Sequence, residues 1–184
     1  MDVAGAVLTG GTSRRMGRDK ATLEIDGVAM ARRVADALIA AGCAPVVAVG
    51  GDATRLGAIG IPVVDDDWPG EGPLGGIITA LRHSERAAVV VAACDLPWLD
   101  APTIERLVAT AVEHADADVV HAASPAMEPL CALWRPRALH TLSAALAGGT
   151  RAVHDAIALL HAVACPVDAG PLRNINRPGD VPNR

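Results

Sequence analysis

The stretch Ala6-Val-Leu-Thr-Gly-Gly-Thr-Ser-Arg-Arg-Met-Gly-Arg-Asp-Lys20 joins an apolar run to a basic, glycine-rich loop. Residues 3–8 are apolar, partly β-branched and free of proline, the pattern of a buried strand, and Gly10-Gly11 ends the run where the backbone must turn tightly. Adjacent glycines let main-chain N–H groups approach an anion, and the hydroxyls of Thr12 and Ser13 add neutral donors. Arg14, Arg15, Arg18 and Lys20 fall within seven residues against one carboxylate, Asp19, in a chain of net charge −5. The local field opposes the global one, as a triphosphate cradle requires. Lys20 is the only lysine among 16 basic residues, which suggests a site wanting a compact, rotatable ammonium and not a planar fork. The competing reading is a solvated basic loop after a strand.

Two common phosphate motifs do not fit. A Walker loop needs four residues between its glycines and then Lys-Ser/Thr, whereas five separate Gly11 from Gly17 and Ala21 follows Lys20. The dinucleotide fingerprint needs a third glycine where Arg14-Arg15 stands.

At 184 residues, with no charge-rich or serine-rich linker, the chain is expected to form one domain over residues 1–184. Hydrophobic residues make up 51%, but there is no Phe or Tyr and only three Trp, so the core must be aliphatic. Few aromatic platforms and an acidic balance argue against nucleic acid as a partner. No apolar run reaches the roughly 18 residues of a membrane helix. The N-terminus lacks a secretory pattern, so the expected location is cytoplasmic. Cys43, Cys94, Cys131 and Cys165 form no C-x-x-C pair and are expected to be buried hydrophobes.

Along the chain, residues 23–27 read as a short extended or turn segment, and 28–41 as a helix with Met30, Val34, Leu38 and Ala41 on one face. Residues 45–49 and 61–64 read as strands, the second running into Asp65-Asp66-Asp67. Residues 68–76 are rich in Pro and Gly and read as a shaped loop, with a helix from about 74 to 83. Residues 87–93 have the continuous apolar character of a central parallel strand, ending in Cys94-Asp95. A helix opened by Pro102 and a strand at 118–122 follow. Residues 130–134 are placed to pair with that strand as a hairpin, 135–147 and 151–160 read as helices, and 163–167 as a last strand. Such β-α alternation implies an α/β fold, a mostly parallel central sheet with helices on both faces.

The basic loop, the Asp65–Asp67 run and Asp95 thus lie at strand ends, where open α/β sheets bind ligands. A nucleoside triphosphate with Mg²⁺ suits them, because Asp-bound metal with Arg and Lys clamps neutralises charge on transferring and leaving oxygens. Asp95 is the candidate metal ligand. The alternative for Asp95 is a strand-end turn residue, and for the acidic run a solvated turn. Neither a paired-histidine metal motif nor a G-x-S-x-G elbow is present, and His154 and His161 read as ordinary helix or surface residues.

Leu8-Thr-Gly-Gly-Thr-Ser-Arg-Arg-Met-Gly-Arg-Asp-Lys20, Gly72-Pro-Leu-Gly-Gly76, Cys94-Asp-Leu-Pro97 and Asn174-Ile-Asn176 together resemble the molybdenum cofactor guanylyltransferases, the MobA family of nucleotidyltransferases. The resemblance spans nearly the whole chain. It implies a Rossmann-like nucleotidyltransferase fold that binds GTP and Mg²⁺ and joins GMP to the terminal phosphate of molybdopterin, releasing pyrophosphate. By position it implies backbone contacts to nucleotide from Leu8, Thr9, Gly10 and Gly11, and phosphate contacts from Arg15 and Lys20. It further implies a nucleotide contact from Asp66, a guanine site shaped by the loop of Pro73, Leu74 and Gly75, metal at Asp95, and pterin contacts from Asn174 and Asn176. Catalysis would rest on Arg15, Lys20 and Asp95. Transient contacts with proteins that deliver molybdopterin and accept the finished cofactor are implied as well. The paired glycine of Leu-Thr-Gly-Gly resembles guanylyl members and not the Leu-Ala-Ala-Gly of cytidylyl relatives. The sequence departs from some relatives at Val49, where they have asparagine, and in a loop one residue shorter before Asp19. A cytidylyltransferase, a guanylyltransferase with another phosphorylated acceptor, and a non-catalytic GTP-binding adaptor are the alternative readings.

Overall fold

In a computed structural model, which describes residues 1–10, 20–175 and 180, one seven-stranded sheet runs through the chain. In chain order its strands are β1 (Val3–Leu8), β4 (Val46–Val49), β5 (Val63–Val64), β6 (Ala88–Ala93), β7 (Val119–Ala123), β8 (Met127–Trp134) and β9 (Ala162–Pro166). A separate two-stranded ribbon holds β2 (Glu24–Ile25) and β3 (Val28–Ala29). The order across the large sheet is β5-β4-β1-β6-β8-β7-β9, and β8 alone runs antiparallel to its neighbours. The expected mostly parallel sheet, the buried β1 and the central β6 are therefore all present, and every residue of β1 and β6 is buried.

Strand alternation sends side chains to two cores. Val7, Val90 and Leu133 face α1 (Met30–Ala40) and α4 (Ala101–Glu113), against Val34, Leu38, Ile104 and Leu107. Leu8, Val91 and Trp134 face α3 (Pro73–Arg82), α5 (Leu139–Ala147) and α6 (Val153–Ile157), against Ile77, Ile78 and Leu142. Helices on both faces follow from that alternation. No helix among the described residues is long and apolar enough to cross a membrane.

Several boundaries differ from the sequence reading, each for a local reason. The helix expected from residue 28 begins at Met30, because Val28 and Ala29 pair with Glu24 and Ile25 around an Asp26-Gly27 turn. Both turn residues have positive φ, the hairpin geometry that an Asp-Gly pair favours. The strand expected at 61–64 shrinks to Val63–Val64, since Pro62 has no N–H to donate, although Ile61 is still buried. Pro136 splits the helix expected at 135–147 into a 3-10 turn (Pro136–Ala138) and α5. The helix expected at 151–160 is only Val153–Ile157, with Leu159 and Leu160 closing as tight turns onto Ala156 and Ile157. The short α2 (Ala53–Ala58) carries no periodicity signal; Asp52 starts it by accepting the N–H groups of Thr54 and Arg55, each at 3.0 Å.

All four cysteines are free thiols and buried, as expected. Burial pushes the Cys43 thiol up to about 11 and, with the charge of Glu128 next in weight, Cys131 up to about 12. These thiols stay protonated in the fold through pH 9, so iodoacetamide at pH 8 should label neither until denaturant is added. An unfolded thiol releases its proton first, so these two groups make stability fall as pH rises from about 9 towards 11. Native labelling at the denatured rate would contradict this packing.

Candidate active site

The ends of β4, β1, β6 and β8 meet in one crevice, and the strand order lays its residues out in sequence. On the β4 side, the Thr9 and Gly10 N–H groups both donate to the Val49 carbonyl, at 3.2 and 3.1 Å. The buried Thr9 hydroxyl lies 2.7 Å from the Gly50 carbonyl, which locks the end of β1 onto the end of β4. Gly50 has φ +70° and would press a Cβ to 3.2 Å from the Gly10 Cα, so a side chain there is excluded by both conformation and space. The N–H groups of Thr9 and Gly10 are thus already used within the fold.

Asp66 comes to this end of the crevice: its Oδ2 would lie 3.8 Å from a Cβ on Gly10. Its Oδ1 accepts the Trp68 N–H at 3.0 Å and lies 3.1 Å from the Thr79 hydroxyl, so α3 holds it in place. The acidic triplet divides. Asp67 pairs with Arg82 at the end of α3 and with His83 just beyond it, each at 3.2 Å, and Asp65 faces solvent.

Pro73, Leu74 and Gly75 are the first turn of α3, so the helix expected from about residue 74 is present and starts at Pro73, and only the description of Pro73–Gly75 as a loop is corrected. Leu74 is wholly buried in the core, so its side chain cannot line a base site. Gly75 is required for space, since a Cβ would meet the Trp68 Cβ at 2.8 Å. Pro at the first helical position removes one orphan N–H of the helix start and presets its φ.

At the centre, Asp95 follows β6 and its Oδ2 accepts from Lys20 Nζ at 2.8 Å. The Asp95 carbonyl accepts the N–H of Ile175 at 3.0 Å, which draws Asn174 to the same place. Lys20, Asp95 and Asn174, far apart in sequence, are thus brought together. Gly11, Arg15 and Asn176, with the rest of the basic loop, lie outside the described residues.

Glu128, at the start of β8, completes the far side of the crevice, and sequence reasoning missed it. The β6–β8 register pairs Ala92 with Cys131 and runs on towards Asp95 and Glu128. Burial raises the Glu128 carboxyl above its ordinary range; the Leu130 N–H lowers it, the Asp95 charge raises it, and a hydrogen bond with the Asn174 side chain lowers it. A lone Glu before Pro129 in an apolar strand carries no motif that could have marked it. Beside the crevice, the Arg173 guanidinium stacks 4.5 Å over the Trp98 ring. A cavity of about 290 Å³ opens elsewhere, between β4, β5 and the end of α3, lined by Pro45, Val47, Val64, His83 and Arg86, and takes no part in this constellation.

A carboxylate at the end of the central strand, its lysine partner and an Asn-bearing segment returning to it, in a chain whose sequence after β1 is basic and glycine-rich, suit a nucleotidyltransferase. The fold agrees: 2-C-methyl-D-erythritol 4-phosphate cytidylyltransferase from Thermus thermophilus superposes with TM-score 0.72 over 98% of this chain and 96% of its own, at 13% identity. Molybdopterin-guanine dinucleotide biosynthesis protein A from Archaeoglobus fulgidus superposes with TM-score 0.79 over 97% and 94%, at 27% identity. The chain belongs to the family of the MobA-like NTP transferase domain, whose model matches residues 5–163. A relative named "probable molybdenum cofactor guanylyltransferase" in Opitutus terrae is 36% identical over 97% of this chain and 92% of its own length.

Proposed function

We propose that this protein transfers GMP from GTP to the terminal phosphate of molybdopterin, releasing pyrophosphate. The observation that carries this reading is the meeting of Lys20, Asp95 and Asn174 at one strand end. The names of its relatives supply the acceptor and the base.

The donor set suits Mg²⁺. Asp95 offers a carboxylate, Asn174 a neutral amide, and among the described residues no group of three or more His, Cys, Asp or Glu gathers to enclose a metal. Mg²⁺ is commonly held by one or two carboxylates with phosphate and water oxygens, so a single carboxylate at a strand end, here paired with Lys20, fits it. Bound at Asp95, the ion would supply charge neutralisation at the α-phosphate. The acceptor phosphate is already anionic at neutral pH, so no general base is required. One of its oxygens forms the new bond to the α-phosphorus as the bond to the bridging β-phosphate oxygen breaks, and pyrophosphate leaves with that electron pair. Lys20 and Arg15 shield the leaving charge. Thr9 and Gly10 meet the nucleotide through carbonyls and Cα surface, with Asp66 beside them. Asn174 and Asn176 serve the acceptor side.

Thermal melting with GTP, CTP, ATP and UTP, each with and without Mg²⁺, tests the nucleotide half. Ligand at about 100 times its dissociation constant adds roughly 2.7 kcal/mol, or on the order of 5–10 °C for a chain of this size. The expected result is a Mg²⁺-dependent shift with GTP. A shift confined to CTP would replace guanylyl by cytidylyl transfer, and binding without pyrophosphate release when molybdopterin is added would make the protein an adaptor.

A further inference from the structure

We infer that Arg173 binds the phosphate of the acceptor, and that Trp98 is the positioning residue that aims it. The inference rests on the reaction proposed above, in which that phosphate is the nucleophile.

That reaction brings two anions together. A phosphate monoester carries about −1.5 to −2 charges at neutral pH, and it must approach an α-phosphate that is itself negative. Lys20 and Arg15 are assigned to the leaving pyrophosphate, and the residues assigned to the acceptor, Asn174 and Asn176, are neutral amides. The acceptor side therefore calls for a cation of its own. Arg173 is the residue before Asn174, it is exposed, and no ion pair among the described residues includes it. Its guanidinium presents a planar fork of N–H donors that matches phosphate oxygens two at a time.

Both the main chain of Arg173 and the ring beneath it are fixed. The Arg173 N–H closes a turn onto the Gly170 carbonyl at 3.3 Å, and two residues later Ile175 bonds to the Asp95 carbonyl and is fully buried against Ile25 and Met30. Trp98 lies on the loop that carries Asp95 from β6 to α4. Arg33 holds that loop, since its Nε donates to the Pro97 carbonyl at 3.0 Å and its Nη1 to the Ile25 carbonyl at 3.2 Å. The Leu99 N–H closes a turn onto the Leu96 carbonyl at 3.0 Å. The half-buried indole packs with Leu23 against the cluster of Ile25, Met30 and Ile175, and Arg173 Cζ sits 4.5 Å over its centroid. A guanidinium's donors radiate in its own plane, so lying face-on to a ring restricts this long side chain without using its N–H groups. Ordering the fork before the acceptor arrives lowers the cost of binding. Thr9, Gly10 and Asp66 mark the nucleotide end at β1 and β4, whereas Arg173 and Trp98 stand with Asn174 at the end of β6, so the anion assigned to Arg173 is the acceptor's and not the triphosphate.

Calorimetric titration with molybdopterin and, separately, with GTP and Mg²⁺ tests this. The proteins are wild type, Arg173→Gln, Trp98→Leu, Trp98→Phe and the Arg173→Gln, Trp98→Leu double variant, with thermal melting to verify that each folds. Loss of one charge-assisted fork should raise the molybdopterin dissociation constant about ten- to hundredfold in Arg173→Gln and leave that of GTP within about twofold of wild type. Trp98→Leu should raise the molybdopterin constant about three- to fivefold, Trp98→Phe should restore it, and Trp98→Leu should add nothing in the Arg173→Gln background. Turnover of Trp98→Leu at saturating molybdopterin should stay within about twofold of wild type, because a displaced Asp95 loop would lower it. An unchanged molybdopterin constant in Arg173→Gln, or an equal loss for GTP, overturns the inference. A Trp98→Leu effect of full size in the Arg173→Gln background, or a collapse of its turnover, overturns the positioning role. A wild-type protein that binds GTP and not molybdopterin overturns the acceptor reading itself.

Discussion

Asp95→Asn is expected to slow guanylyl transfer by about a thousandfold while leaving the melting temperature nearly unchanged. The size follows from the role: removing one group aimed at developing charge in an active site costs about 10²–10³ in turnover, and here a full charge is lost together with its hold on Lys20. The fold should not notice. Asn has the same shape, and the Asp95 backbone bond that secures Ile175 does not depend on the side chain. The Lys20–Asp95 pair is 17% and 23% exposed, so its loss costs at most about 1 kcal/mol of stability once solvent screening is allowed for. Single-turnover pyrophosphate release with saturating GTP and molybdopterin is the measurement. Near-normal turnover would remove Asp95 from the mechanism.

The largest loss of stability is expected from Trp134→Ala. Trp134 is wholly buried in β8, paired with Val89 on one side and Val119 on the other, and packs with Leu142 and Val153 beneath α5 and α6. Truncating such a side chain costs about 3–5 kcal/mol, roughly 10 °C in melting temperature for a chain of this length. Trp134→Phe should lose far less. Among the described residues the indole Nε1 has no hydrogen-bond partner, and Phe removes that N–H while keeping most of the apolar volume. Equal losses in the two variants, read by thermal melting, would show that indole bulk and not the aliphatic core around it sets the stability of this face.

Much of this molecule is legible along the chain because its signals are local. The continuous apolar runs at β1 and β6, short and rich in Val, read as strands buried on both faces, and Asp100, accepting the Thr103 N–H, starts α4 where Pro102 suggested it. The Pro-Leu-Gly-Gly segment shows the limit. Its composition overlaps a loop reading of 68–76 with a helix expected from about 74, yet Pro is well suited to a helix start, and Gly75 and Gly76 let Trp68 and Leu8 approach the helix backbone. Composition alone cannot separate a glycine needed for a turn from one needed for close packing.

Periodicity and neighbouring residues along the chain fix the α/β alternation, the two-faced burial of the central strands, and the placing of Lys20, Asp66 and Asp95 near strand ends. What those residues meet depends on how the strands and helices pack. The N–H groups of Thr9 and Gly10 go to the Val49 carbonyl, the acidic triplet is divided between the crevice and α3, and Leu74 is withdrawn into the core. Glu128 joins Asp95 and Asn174 because an antiparallel strand inserts beside β6 from more than thirty residues later in the chain. Such meetings are set by strand order and register, which arise from the packing of whole faces and leave no mark on any short stretch of sequence.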